Sequence, residues 1–237
     1  MTAVDGDGFM ARDITFENTA GPEGHQAVAL RVASDFAVFH NCKFTGHQDT
    51  LYSMRGRQFY RDCTISGTID FIFGDAQAVY QKCNIIITKP MHGQDCEVTA
   101  QSRNEPNGPG GFIIQGSRIT ADNSYMTFQN QPGKSAYLGR PWKEFARTII
   151  MNSFIDESIN PEGWHAWPGS NANNTAYYAE YQNQGPGSDT SKRVTWPAVK
   201  RLSPQDAESF TPAKLFANPE QWIPNTGVPF AAGAFSV

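Results

Sequence analysis

The chain repeats itself, and a repeat limits the choice of fold severely, because each unit must bury its apolar face against its neighbours. The unit is two apolar residues, two mostly polar ones, a small residue or cysteine, a polar residue and a closing apolar one. Its clearest copies are Val38 to Phe44, Phe59 to Ile65 and Val79 to Ile85, with Cys42, Cys63 and Cys83 in the small position. Looser copies run from Ile113 to Ile119 with Ser117 there, and from Ile149 to Ile155 with Ser153, while Met10 to Phe16 places Ile14 in that slot. Successive cysteines of the clear copies lie 21 and 20 positions apart.

Short β-rich units of this length, lacking the Leu/Asn signature of leucine-rich repeats, predict an all-β chain. The expected form is a single-stranded, right-handed parallel β-helix with long loops, its coils stacked on one continuous core. Wider spacings, 34 positions from Cys83 to Ser117 and 36 from Ser117 to Ser153, predict loops around the turn-forming clusters Asn104 to Gly111 and Gln129 to Gly133. The cysteines read mainly as small core residues one coil apart, although a strand spacing of about 4.8 Å leaves a Cys42–Cys63 bridge open. After Pro161 the rhythm gives way to Trp- and Pro-rich sequence. Ser203 to Phe210 then predicts a short C-terminal helix, with Ser203 as cap and Pro204 at its first position, packed along the solenoid or over its end.

Composition agrees with turn-rich β structure: 39% hydrophobic, 18% charged, 21 Gly and 15 Pro in 237 residues, enough for one domain spanning 1–237. A net charge of -4 gives no basic footprint for nucleic acid or an anionic membrane surface. No apolar run approaches the roughly 18 residues of a membrane span. The four cysteines lack the paired C-x-x-C spacing of a zinc site, so no metal is expected.

The same period sorts the polar residues. Asp49 and Asp70 are 21 positions apart, and Gln26 and Gln48 are 22 apart, each about one coil. Two carboxylates and two carboxamides should therefore converge on one face. Carboxylates one strand spacing apart do not ionise together easily, so one keeps its proton to higher pH, giving an acid beside a nucleophile. Aspartates near turns often do no more than cap local backbone. Asp70, however, sits in the apolar run Ile69 to Gly74, where a lone charge is costly and needs a partner. Arg140, in Leu138-Gly139-Arg140-Pro141-Trp142, is the candidate, since a guanidinium can hold a carboxylate through two hydrogen bonds. His47, beside Gln48, is expected at the edge of the same cleft. Phe71, Phe73, Trp142 and Trp164 are candidates for an aromatic, substrate-stacking wall, with Tyr137 and Trp167 as lesser candidates. No G-x-S-x-G elbow occurs, which disfavours a Ser-His-Asp hydrolase.

Four segments, Gln26 to Arg31, Gln48 to Leu51, Asp70 to Gly74 and Leu138 to Trp142, resemble in order the signature segments of plant pectin methylesterases. The likeness extends over nearly the whole chain, including Gly8 to Asp13 and Gly163 to Trp167. It begins part-way into the family's catalytic domain, which implies N-terminal truncation and missing upstream coils. The resemblance implies Asp70 as nucleophile, Asp49 as acid and then base, Gln26 and Gln48 as oxyanion donors, and Arg140 as the residue that positions Asp70. It implies Trp142 facing the sugar chain, methylated homogalacturonan as substrate, methanol as product, and no cofactor. It also implies a monomer secreted to the extracellular cell wall and, for many members, regulation by a pectinesterase inhibitor protein.

Two other readings stay open on the residues alone. A pectin-acting lyase or polygalacturonase would share the β-helix, but a lyase wants an acidic calcium cluster and a glycosidase places its carboxylates about a glycosidic bond. Neither accounts for paired glutamines beside Arg140. A non-catalytic β-helix that binds pectin or a partner protein is the reading from another class.

Overall fold

The computed structural model describes residues 1–129, 135–216 and 218–233. Three short strands make each coil. The first coil is β1 (Thr2–Val4), β2 (Met10–Arg12) and β3 (Thr15–Glu17), and the second is β4 (Leu30–Val32), β5 (Ala37–His40) and β6 (Lys43–Thr45). The third is β7 (Leu51–Ser53), β8 (Arg57–Arg61) and β9 (Thr64–Gly67), and the fourth is β10 (Ile72–Gly74), β11 (Gln77–Gln81) and β12 (Asn84–Ile87). The fifth is β13 (Cys96–Gln101), β14 (Gly111–Gln115) and β15 (Arg118–Ala121). The sixth coil adds β16 (Ala136–Gly139), β17 (Arg147–Met151) and β18 (Phe154–Ile155), after which β19 (Tyr177–Tyr181) and β20 (Val199–Arg201) extend the middle sheet. Every third strand pairs in parallel, giving three sheets that run the length of a β-helix: β1-β4-β7-β10-β13-β16, β2-β5-β8-β11-β14-β17-β19-β20, and β3-β6-β9-β12-β15-β18.

The register bears out the repeat residue by residue. Val38 faces Phe59, Phe59 faces Val79, Val79 faces Ile113, and Ile113 faces Ile149. The polar residue before each small position supplies the corner, with positive φ at Asp13, Asn41, Asp62, Lys82, Gly116 and Asn152. Asn, Asp and Gly tolerate that left-handed conformation best, and one such residue turns the chain between sheets. The next side chain then points inward: Cys42, Cys63, Cys83, Ser117 and Ser153 are all buried. All four cysteines are free thiols. The Ser117 hydroxyl accepts from the Cys83 amide at 3.0 Å, and the Ser153 hydroxyl accepts from the Ser117 amide at 3.1 Å, so serine fills the slot without an unsatisfied group. Ile14 departs from the pattern. It is 46% exposed because its strands pair on one side only, β2 and β3 being the outermost of their sheets.

Inside the helix, like side chains stack at the strand spacing. The Phe39 and Tyr60 rings lie 4.9 Å apart and those of Tyr60 and Tyr80 4.8 Å apart, stacked nearly parallel in each case. Ser53 bonds both buried tyrosine hydroxyls, at 3.1 and 2.8 Å. A second apolar cluster lies outside the middle sheet, where Val38, Phe59, Val79, Ile113 and Ile149 meet Phe216, Ile223 and Val228. This is the role of the C-terminal segment: it runs along the solenoid. Gln77, Gln81 and Gln115 donate to the carbonyls of Leu215, Ala231 and Gly233 at 2.7, 2.8 and 2.9 Å, pinning that segment to successive coils.

Among the described residues, three α-helices besides the expected one appear. α1 (Asn123–Gln129) follows Asp122, whose carboxylate accepts from the Tyr125 amide at 2.9 Å, and it ends on Gln129, the first residue of the expected turn cluster Gln129 to Gly133. Positions 130–133 of that cluster lie outside the described residues. α2 (Ala172–Thr175) precedes β19. The expected C-terminal helix is α3 (Pro204–Glu208), with Ser203 and Asp206 forming a reciprocal capping box, and it is followed by α4 (Pro212–Leu215).

Candidate active site

The corner between the third and first sheets carries the charge. Asp49 and Asp70 hold the same place on consecutive coils, with φ of 63° and 51°. The Asp49 amide donates to the Ile69 carbonyl at 3.0 Å, and the Leu51 amide to that of Phe71 at 2.9 Å. One coil below, a local irregularity accounts for the glutamine spacing. The amides of Ala29 and Leu30 both donate to the Thr50 carbonyl, at 2.9 and 3.3 Å, so one residue is absorbed, as in a β-bulge. The offset is therefore 22 before that point, where Gln26 meets Gln48, and 21 after it.

Gln26, Gln48, Asp49, Asp70, Phe73, Ala100, Arg140, Trp142 and Trp167 line one cleft of about 280 Å³. Asp70 is 6% exposed. Arg140 Nε and Nη2 each donate to one of its carboxylate oxygens at 2.8 Å, a parallel fork that fixes the carboxylate's orientation. Arg140 is delivered by the end of β16, where Gly139 lies flat on the neighbouring coil: a Cβ there would come within 2.0 Å of Thr99 Oγ1. Aromatic rings close the sides. Phe73 stacks on Tyr52 at 4.4 Å and meets the edge of Trp142 at 6.0 Å, while the Arg140 guanidinium lies 4.6 Å from the centre of the Trp167 ring.

The two aspartates differ electrostatically. Burial raises Asp49 to about 7, helped by the negative charge of Asp70 and opposed by Arg140. Burial also raises Asp70, but the Arg140 hydrogen bonds and charge hold it lower, at about 6. Between those values the Arg-clamped group is ionised and its neighbour is protonated, the division of labour that a nucleophile and a general acid require.

Four expectations change. Phe71 is fully buried, because the residue after the left-handed corner at Asp70 turns into the core, as Thr50 does after Asp49 one coil earlier. Trp164 is 1% exposed and stacks face to face on Tyr178 at 4.1 Å inside the helix, paired with Gly139. Trp167, three residues on, is the tryptophan of that segment that reaches the cleft. His47 turns away from Gln48 into a separate cavity of about 670 Å³, bordered by Lys89, His92 and Asp122. Two groups were not singled out from the sequence: Glu97, 2% exposed on β13, and His165, whose Nδ1 lies 2.7 Å from Glu97 Oε1. Glu97 follows Asp70 by 27 positions, because the loop before β13 lengthens that coil and breaks the period.

A parallel β-helix that sets an arginine-clamped aspartate beside a second, protonable one in an aromatic-sided cleft defines the class of protein. Comparison with known proteins narrows the class: the family model described as Pectinesterase matches residues 1–219, and the chain belongs to that family. It is 55% identical over 96% of its length to the probable pectinesterase/pectinesterase inhibitor 58 of Arabidopsis thaliana, spanning 39% of that protein. It is 50% identical over 99% of its length to a pectinesterase of Petunia integrifolia, spanning 63% of it. The pectin methylesterase from carrot superposes with a TM-score of 0.94 at 49% identity, covering 98% of this chain and 72% of that one.

Proposed function

We propose that the chain hydrolyses the C6 methyl esters of homogalacturonan and releases methanol, with Asp70 as nucleophile and Asp49 as proton carrier. The observation that carries this reading is the two-point Arg140–Asp70 pair beside Asp49, whose carboxyl keeps its proton to about pH 7.

The chemistry balances with these residues alone. An ionised Asp70 oxygen attacks the ester carbonyl carbon, and the charge that develops on the carbonyl oxygen is met by the amide N–H groups of Gln26 and Gln48. As the C–O bond to the methoxy group breaks, Asp49 gives that oxygen its proton, and methanol leaves an acyl-Asp70 anhydride. Asp49, now a carboxylate, takes a proton from water. The hydroxide formed attacks the same carbonyl, and cleavage of the anhydride restores Asp70 and frees the galacturonate carboxyl group. Arg140 keeps Asp70 aimed and ionised between turnovers. Trp142, Trp167 and Phe73 offer apolar faces to sugar rings on either side of the ester.

The family and the names of the relatives support pectin as the polymer, and we infer the cell wall as the place of action. The pairing of esterase with inhibitor in the Arabidopsis relative's name supports an inhibitor of that kind as a protein partner. Incubation of the purified chain with highly methylated pectin tests the proposal: methanol should appear with no shortening of the polymer. Shortening without methanol would point to a lyase or glycosidase, and binding without either product to the non-catalytic reading.

A further inference from the structure

We propose that Glu97 and His165 form a positioning couple for Arg140, holding the guanidinium against Asp70 and balancing the charge of the acids beside it. The proposal rests on the esterase reading for its kinetic test, and on geometry for its argument.

Glu97 belongs to the same column as the two aspartates. Ile72 pairs with Thr99, and the Phe71 amide donates to the Glu97 carbonyl at 3.4 Å, which places Glu97 one coil beyond Asp70 as Asp70 is one beyond Asp49. Three acids thus occupy three successive coils. A carboxylate as buried as that of Glu97 is costly unless paired, and it has two partners: His165 Nδ1 at 2.7 Å and Arg140 Nη1 at 3.6 Å. Arg140 therefore spans two carboxylates, presenting Nε and Nη2 to Asp70 and Nη1 to Glu97. Pulled from both sides, the guanidinium is held against rotation about its stem.

The charges also close. With Asp49 protonated, Asp70 and Glu97 carry two negative charges and Arg140 supplies one positive charge. A protonated His165 supplies the second, and its hydrogen bond to Glu97, with the charges of Glu97 and Asp95, raises its affinity for a proton while Arg140 opposes it. At Asp70, Glu97 disfavours and His165 favours the ionised form. His165 is fixed in place, its ring stacked 4.4 Å from that of Tyr137 and its amide donating to the Gly139 carbonyl at 2.9 Å. The charged or titratable groups around the couple are Asp49, Asp70 and Asp95 among the acids, Arg140 among the bases, the phenols of Tyr137 and Tyr178, and the buried thiol of Cys96.

A structural staple joining two coils would make both residues matter in the same way, whereas a charge-balancing couple makes them matter in opposite ways. His165→Gln keeps a hydrogen-bond donor for Glu97 but removes the positive charge, so the acidic limb of kcat/KM should move up by about half a pH unit. Glu97→Gln removes a negative charge beside Asp70, so that limb should move down by about as much. Both should lower kcat several-fold with KM within about twofold of the parent, because Arg140 is less firmly held. Limbs that stay put, or that move in the same direction, overturn the proposal. A readout independent of turnover separates its failure from that of the esterase reading: titration of the His165 ring proton by NMR, its signal assigned by its loss in His165→Gln. The midpoint should lie above the ordinary histidine value of 6.5 and fall in Glu97→Gln; an unchanged midpoint overturns the couple whether or not the chain releases methanol.

Discussion

Asp49 and Asp70 occupy one corner on consecutive coils, joined through the backbone by the Asp49 amide and the Ile69 carbonyl at 3.0 Å, yet only Asp70 is gripped by a guanidinium. That single asymmetry is the basis of the separate roles proposed for them. Asp70→Asn should leave the fold and cleft in place and lower kcat by on the order of 10⁴ or more, since an amide is a poor nucleophile and makes only half of the Arg140 fork. Asp49→Asn should also be severely impaired, having no proton to give to methanol. Methanol release by Asp70→Asn at near the parent rate would rule out the nucleophile assignment.

The same asymmetry fixes a pH profile. The kcat/KM for methylated pectin should rise as Asp70 ionises near pH 6 and fall as Asp49 loses its proton near pH 7, a narrow bell centred between them. The measured quantity is methanol released at substrate concentrations below KM. Rates still climbing between pH 7 and 8 would show that Asp49 is not the acid.

How the cleft became visible in the sequence, and where it stayed hidden, follows from one geometric fact: the corners reset the phase. From one coil to the next the spacing of 21 carries Asp49 onto Asp70, and the repeat carries the slots of Cys42, Cys63, Cys83, Ser117 and Ser153 into the core, so the fold and the proposed catalytic pair are legible. At each left-handed corner, however, alternation of inward and outward side chains starts afresh. Phe71 and Phe73 therefore could not be told apart by alternation, and His47 could not be placed on the far side of its corner, while Trp164 and Trp167 lie after Pro161, where no repeat remains to place them. Glu97 was hidden for another reason: the residues between β12 and β13 lengthen its coil, so no fixed period leads from Asp70 to it. Helix α1 was masked by residues, Asp122 to Ser124, that serve turns and helix caps equally well.

The raised aspartates should cost stability. In the folded protein both take up protons more readily than an ordinary carboxyl near 3.8, so between about pH 4 and 7 the folded state holds more protons than the unfolded one, and stability falls as pH rises through that window. Asp49→Asn removes its share. Denaturant unfolding should show the variant more stable than the parent at pH 7 by on the order of 1–2 kcal/mol, allowing for water at the cleft mouth, and little different at pH 4. A variant no more stable than the parent at pH 7 would mean that Asp49 is not strained by burial.

The thiol column makes a prediction about accessibility. Cys42, Cys63, Cys83 and Cys96 are each at most 2% exposed; a hydrogen bond with Cys63, together with burial, raises the Cys42 thiol above its ordinary range, and burial raises those of Cys63 and Cys96. A thiol-reactive dye should label none of the four in the native protein within minutes and all four after unfolding without reductant. Labelling of only two in the unfolded chain would reveal a bridge.

Gly139 sets how closely Arg140 can approach. A methyl group at that position would meet Thr99 Oγ1 at 2.0 Å and the Thr99 carbonyl at 2.7 Å, and the second of these is backbone, which cannot swing aside. Gly139→Ala should therefore push β16 away from β13, costing about 1–3 kcal/mol of stability as overpacking does. The larger effect should be on turnover. Arg140 follows directly on Gly139, and its amide donates to the same Thr99 carbonyl at 2.9 Å, so displacing that contact tilts the guanidinium out of its fork with Asp70. A fall in kcat of at least about tenfold is expected, since an ångström of misplacement at a catalytic group commonly costs more than that. Thr99→Ala in the same background should recover little, because it removes the hydroxyl and leaves the carbonyl. Full activity in Gly139→Ala would show that the position of Arg140 is set by its contacts with Asp70 and Glu97 rather than by the strand that carries it.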